Sequence, residues 1–307
     1  MRIVSLLSSG TEILFAIGLG EQVMAVSHEC DYPAAAAALP KATRSLVDSS
    51  QASGQIDEQV KSLAGAGAAL YGLEGELIRS LRPEVIVTQA QCDVCAVRYA
   101  DVVELVANSA DLAATRVVPL NPQSLDEALA DVLRVGKACA AAAAAREFVA
   151  GLVARVGRVA MTLKNTRPRV VCIEWTDPLM AAGNWTPQLI DLAGGQSGLA
   201  KAGQHSGYVA WPEVVEFDPQ VLLVAPCGFG LARSLAEASI LRELPGWGEL
   251  AAVKAGRAHV IDGNAYLNRS GPRLVDSLEI LAHLIHPELF PPPTGELAEG
   301  AAWARLL

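Results

Sequence analysis

Between Ser124 and Arg167 the chain contains no proline, and apolar residues recur there at helical spacing: positions 125, 129, 132, 133, 149, 152, 153, 156, 159, 160 and 163. Ser124-Leu125-Asp126-Glu127 has the form of a capping box, and no breaker follows until Asn165 and Pro168. Forty residues at ~1.5 Å each make a rod of roughly 60 Å, far beyond the usual globular helix. Two helices parted near positions 140–145 would be the alternative, but that stretch is alanine, which does not break helices. The pattern predicts one continuous rod over residues 123–166.

On both sides of the rod, short apolar runs alternate with helical patterns. Before it, strands are expected at 3–7, 23–27, 85–88 and 117–120, with helices at 11–18 and 75–81 among those between them. After it, strands are expected at 170–175, 221–225 and 258–261, and helices near 187–193, 234–241 and 272–285. Such alternation implies parallel βα units. The expected architecture is α/β: an N-terminal lobe over 1–122, the connecting helix over 123–166, and a C-terminal lobe over 167–290. A Pro-rich tail over 291–307 is expected to pack loosely. A chain of 307 residues exceeds one comfortable core, which agrees with two lobes.

Composition narrows the function classes. Hydrophobic residues make up 51% and charged residues 19%, a globular balance. Thirty-three acidic against 24 basic residues leave a net charge of −9, which argues against nucleic acid and anionic membrane surfaces. The apolar run at 3–7 is too short for a signal peptide and no small-residue cleavage site follows it. The sequence as it stands therefore reads as cytoplasmic, or as periplasmic if a leader was removed. No apolar stretch reaches membrane-spanning length uninterrupted, so no membrane insertion is expected.

In open parallel sheets, ligands bind outside the carboxyl ends of the strands. In the first lobe those ends lead into Ser8-Ser9-Gly10-Thr11, into His28-Glu29-Cys30-Asp31-Tyr32-Pro33, and into Gln89-Ala90-Gln91-Cys92-Asp93-Val94-Cys95. In the second they lead into Glu174-Trp175-Thr176-Asp177, Pro226-Cys227-Gly228-Phe229 and Asp262-Gly263-Asn264-Ala265-Tyr266. Acids, thiols and aromatics thus issue from the same kind of edge in both lobes, and a cleft between them is the natural expectation. Trp175, Trp185 and Trp211 lie among Gly, Asn and Pro, where an indole either stacks on a flat ligand or caps the core. Of the six cysteines, Cys139 and Cys172 sit in apolar helix and strand and read as core. Cys92 and Cys95 form a lone C-x-x-C, and with Cys30 and Cys227 they could bind one soft metal such as zinc, copper or iron.

The chain also resembles the substrate-binding proteins of ABC importers for cobalamin and metal chelates. The resemblance runs over roughly residues 2–288. It is carried by Ser9-Gly10-Thr11-Glu12-Ile13-Leu14, Asp31-Tyr32-Pro33 and Leu81-Arg82-Pro83-Glu84-Val85-Ile86-Val87, then by Ala193-Gly194-Gly195, Trp211-Pro212-Glu213-Val214, Asp218-Pro219 and Arg269-Ser270-Gly271-Pro272-Arg273. It implies two Rossmann-like lobes on one backbone helix, the class III periplasmic-binding-protein arrangement, with a corrinoid or related metal chelate held without catalysis. Tyr32 and Trp211 correspond to aromatic contacts on the ligand, and Glu76 and Glu213 to acids that dock on the importer permease. The full expected contact set is Ser9, Thr11, His28, Glu29, Tyr32, Gln89, Glu174, Trp175, Trp185, Trp211, Phe229, Tyr266 and Arg273. The loop at 89–95, the His28-Glu29-Cys30 triplet and Cys227 depart from the family pattern. Two further readings therefore stay open: a cytosolic soft-metal binding or trafficking protein, and a Cys-dependent enzyme on a receptor fold. Adjacent residues of an extended segment point to opposite faces, so His28 is badly placed to activate Cys30.

Overall fold

The computed structural model describes residues 1–91 and 96–306, and the chain divides into two compact units. One comprises Met1–Gln51, Gln55–Pro122 and Asp126–Gly151; the other comprises Ala52–Gly54, Gln123–Leu125 and Leu152–Leu307. The expectation of two α/β lobes holds.

The first unit is built from β1 (Ile3–Ser5), α1 (Ser8–Ala16), β2 (Val23–Val26), α2 (Ala34–Ala37), β3 (Thr43–Ser45), α3 (Ser53–Gly65) and β4 (Tyr71–Leu73). It continues through α4 (Gly75–Leu81), β5 (Val85–Gln89), α5 (Tyr99–Ala107), β6 (Arg116–Leu120), α6 (Leu125–Ala138) and the start of α7 (Ala142–Thr162). Its main sheet has the order β2-β1-β5-β6 and is parallel throughout. The strand period of two divides the core between the faces. Ile3, Val85 and Val87 pack with Val132, Val135 and Ala145 on one side, while Val4 and Ile86 pack with Ile78, Val102 and Leu112 on the other. Covering both faces is what an all-parallel sheet requires, and it explains why these strands read as unbroken apolar runs.

The predicted single rod is instead two helices. The chain turns at residues 139–141, with Ala140 in the left-handed region at φ 57°. The cause is packing rather than propensity. A Cβ on Gly136 would lie 2.3 Å from the Cβ of Ala145, so the absence of a side chain at 136 lets α7 start hard against the end of α6. The Ala141 N–H then closes the turn on the Gly136 carbonyl at 2.7 Å.

The second unit carries β7 (Arg169–Thr176), β8 (Leu179–Ala181), α8 (Thr186–Leu192), β9 (Gln196–Ser197), β10 (Gly207–Tyr208), α9 (Trp211–Phe217) and β11 (Val221–Val224). After these come α10 (Leu231–Ala238), α11 (Ala251–Lys254), β12 (Ala258–Ile261), α12 (Leu274–Ile285) and β13 (Trp303–Arg305). The three strands read from the sequence, β7, β11 and β12, are its parallel centre, and the sheet order is β10-β8-β7-β11-β12-β13. The end segment is not loose. β13 pairs antiparallel with β12, and Trp303 is buried against the rings of His259 and His283. Arg155 of α7 is tied to α12 by Glu279, at 2.9 and 2.7 Å, and by Asp276.

Candidate functional site

In the first unit, the segment after β2 is held down by its neighbour in the sheet. Lys41 bridges to Val26, and the Ala42 N–H donates to the Val26 carbonyl at 2.8 Å, which brings Thr43 beside His28. The His28 N–H donates to Thr43 Oγ1 at 3.0 Å, and His28 Nδ1 lies 2.7 Å from the same oxygen. The Thr43 hydroxyl in turn donates to Ser27 Oγ at 3.1 Å. The Tyr71 ring stands 5.5 Å from the half-buried imidazole. Burial, and secondarily the Lys41 charge, hold the His28 pKa below its ordinary value.

Cys30 is buried, with its sulfur 3.1 Å from Thr11 Oγ1. The Thr11 hydroxyl also donates to the Leu7 carbonyl at 3.3 Å, which leaves the Cys30 thiol as donor to Thr11. Ser9 and Thr11 are buried in the first turn of α1, whereas Glu29 and Tyr32 are exposed. Gln89 is buried and stitches the following loop: it donates to the Val97 carbonyl at 3.1 Å and accepts from the Gln91 N–H at 2.6 Å. Cys92 and Cys95 lie outside the described residues. Among the described residues, no three His, Cys, Asp or Glu side chains gather as a metal set.

In the second unit, Glu174 and Trp175 close β7. The Ser206 hydroxyl donates to Glu174 Oε2 at 2.8 Å, yet burial pushes the Glu174 carboxyl up to about 7. Trp175 meets Phe229 at 5.2 Å between centroids, and its buried Nε1–H has no partner among the described residues. The Arg233 guanidinium lies 3.5 Å above the Phe229 ring, a cation–π contact. Cys227, in the same loop as Phe229, is exposed. The loops after β11 and β12 are fused: Asn264 N–H donates to the Phe229 carbonyl at 3.0 Å, and a Cβ on Gly263 would meet the Pro226 carbonyl oxygen at 2.0 Å. Only glycine permits that approach.

The remaining expected residues have partners of their own. Trp185 is buried, with its N–H bonded to the Leu267 carbonyl. Trp211 opens α9, not a loop; its N–H donates to the Pro245 carbonyl at 2.7 Å and its ring stacks on Trp247. Tyr266 donates to the Glu296 carbonyl at 3.2 Å, with the Arg273 guanidinium 5.6 Å from its ring. Glu76 is exposed in the first turn of α4, and Glu213 caps α9 by accepting from the Ala210 N–H at 2.6 Å. Cys139 and Cys172 are buried, and burial raises both thiol pKa values, Cys139 to about 11. The residues that sequence reasoning missed are Ser27, Thr43 and Tyr71 around His28, Ser206 on Glu174, and Arg233 on Phe229. Thr43 and Tyr71 reach His28, and Ser206 reaches Glu174, only through the fold, whereas Ser27 is the neighbour of His28 and Arg233 follows Phe229 by four positions.

The chain matches the family described as periplasmic binding protein over residues 3–265. It is 23% identical over 295 residues to YvrC of Bacillus subtilis (strain 168), an uncharacterized ABC transporter substrate-binding lipoprotein, covering 94% of this chain and 81% of that one. Among solved structures, it is similar to the periplasmic heme-binding protein RhuT from Roseiflexus sp. RS-1, with TM-score 0.69, 24% identity and coverage of 93% and 98%. A periplasmic heme-binding protein from Pseudomonas aeruginosa gives TM-score 0.72 at 20% identity, covering 95% of each chain. The periplasmic vitamin B12 binding protein BtuF of Vibrio cholerae gives 0.69 at 19%, covering 93% and 96%. At these identities the likeness to the solved structures is one of fold.

Proposed function

Since the chain belongs to the periplasmic binding protein family, we propose that it is the substrate-binding component of an ABC importer and carries a metal chelate of the corrinoid or heme type. The observation that carries this reading is the family match itself, which runs from β1 through β12. The ligand-facing set is drawn from the expected contact residues. Tyr32 and Trp175 supply flat apolar surface, and His28, Glu29 and Glu174 supply polar atoms. Ser9, Thr11 and Gln89 are buried and hold the loops. The role is binding without catalysis. The lipoprotein relative supports a working place outside the cytoplasm, and Glu76 and Glu213 are the proposed contacts to the importer permease.

The test is a titration of the purified protein with aquocobalamin and with ferric heme, followed by absorbance and calorimetry. Saturable binding of either at micromolar or tighter affinity is the expected result. A protein that binds neither, over a range reaching well above micromolar, is not a receptor for these chelates.

A further inference from the structure

Glu174 sits where β7 breaks its pairing. Ile173 pairs with Ala181 and Trp175 with Met180, so Glu174 is the extra residue of a β-bulge and has no partner on β8. Such bulges re-aim a side chain at the rim of a sheet. Here the carboxyl meets the Ser206 hydroxyl, which the pairing of Gly207 with Ala181 brings up. Ser206 Oγ accepts from the Gly183 N–H at 2.9 Å, and its single proton goes to Glu174 Oε2 at 2.8 Å. That closure needs a glycine at 183, since a Cβ there would lie 2.4 Å from the Gln204 carbonyl oxygen. The next residue is Trp175, whose ring forms an apolar wall with Phe229 at the same edge.

No ion pair reaches Glu174 among the described residues. The Arg233 guanidinium lies on the Phe229 ring, and His205, next to Ser206, does not offset the carboxyl's charge. Cys172, two positions back on β7, is a buried thiol that the same charge pushes further from ionising. A carboxylate with one neutral donor and no cation is costly to cover with apolar surface, whereas its acid form is not.

We propose that Glu174 is the proton-linked residue of the ligand site: the chelate covers it in its acid form, so that binding to the ionised protein draws one proton from solvent. This rests on the receptor reading above. In the step, Glu174 gains the proton, Ser206 keeps donating to Oε2, and no covalent bond to the ligand forms. A proton held more tightly in the complex makes affinity fall as pH rises. The uncovered carboxyl is half-protonated at about 7, so the chelate is held below that value and loosened above it.

The test uses the full chain with ferric heme and cyanocobalamin as probes, at pH 6 and pH 8.5. For whichever binds, the dissociation constant should rise about tenfold or more between the two, as uptake of one proton requires. Glu174→Gln should bring that ratio near one. Ser206→Ala removes the donor that favours the charged form, so the midpoint of the pH dependence should move upward. Calorimetry at pH 8 in two buffers of different ionisation enthalpy should show wild type taking up about one proton more per ligand than Glu174→Gln, a difference in which the probe's own titration cancels.

A wild-type affinity flat across this range, or a pH dependence shared by Glu174→Gln, overturns the linkage and leaves the receptor reading standing. Binding of neither probe at either pH overturns both. Carbon-detected titration of the Glu174 carboxyl in the unliganded wild type needs no variant and no ligand. A midpoint of about 7 is expected, and one in the ordinary carboxyl range overturns the inference.

Discussion

The carboxyl group of Glu174 is charged at neutral pH in an unfolded chain, where its pKa is 4.5, and half-protonated at about 7 in the folded one. A raised carboxyl pKa means that the native state binds the extra proton, so this group favours folding most at low pH. Its contribution declines as pH rises from about 4.5 through about 7. Glu174→Gln should remove that slope, and urea unfolding of both proteins at pH 5 and pH 8 reads it directly. Asp131 obeys the same sign. It is almost fully buried on α6, its pKa is raised to about 6 by burial, and one carboxylate oxygen has no partner among the described residues despite Arg134. A shift of about two pH units corresponds to about 3 kcal/mol, so Asp131→Asn should stabilise the protein at pH 8 by up to that amount and by little at pH 4. The environments of Glu174 and His28 were not legible beforehand. Ser206 stands 32 positions after Glu174, and Thr43 stands 15 after His28, brought close only by the strand pairings. The carboxyl-edge rule singles out loops but does not say which of their side chains face inward, as buried Trp185 and Gln89 illustrate.

Elements were more legible than residues where one physical signal dominates. β5 and β11 announce themselves as β-branched runs because both sides of their sheets are covered, and α4 because Pro83 stops it. β8, β10 and β13 were missed; each has only two or three residues and takes its shape from the strand it joins. The turn between α6 and α7 was missed because a glycine in a helical pattern costs only ~1 kcal/mol, while its packing partner is nine positions away. That turn can be probed from both sides. Gly136→Val should destabilise by about 1–3 kcal/mol, since its Cβ has no room beside Ala145. Ala140→Gly should stabilise modestly: relief of the left-handed alanine, ~1–2 kcal/mol, exceeds the ~0.4–1 kcal/mol of added unfolded-state freedom. Calorimetric melting of the two variants should move in opposite directions. Arg155→Met should destabilise by about 1–3 kcal/mol in urea unfolding, since Asp276 and Glu279 are left facing each other half-buried.

For the whole molecule, the expectation of α/β lobes holds because fold class follows from the order of elements, not from their exact ends. The ligand does not follow in the same way, since many side-chain sets suit one scaffold. Binding should nevertheless register globally. A chelate at a hundredfold its dissociation constant adds about 2.7 kcal/mol to the stability of whatever it binds, so the melting midpoint should rise by several degrees with heme or aquocobalamin. No described helix is long and apolar enough to cross a membrane, and no part of that gain needs a bilayer. The first sheet also has a consequence in time. β1 lies between β2 and β5, and its pairing of Ile3 with Val85 closes a loop of 82 positions. Local helices form on the order of a microsecond, whereas so distant a pairing must first overcome the entropy of that loop. Refolding of the first unit is thus paced by the meeting of β1 with β5, and substitutions within either strand should slow it more than equally destabilising ones in α4 or α5.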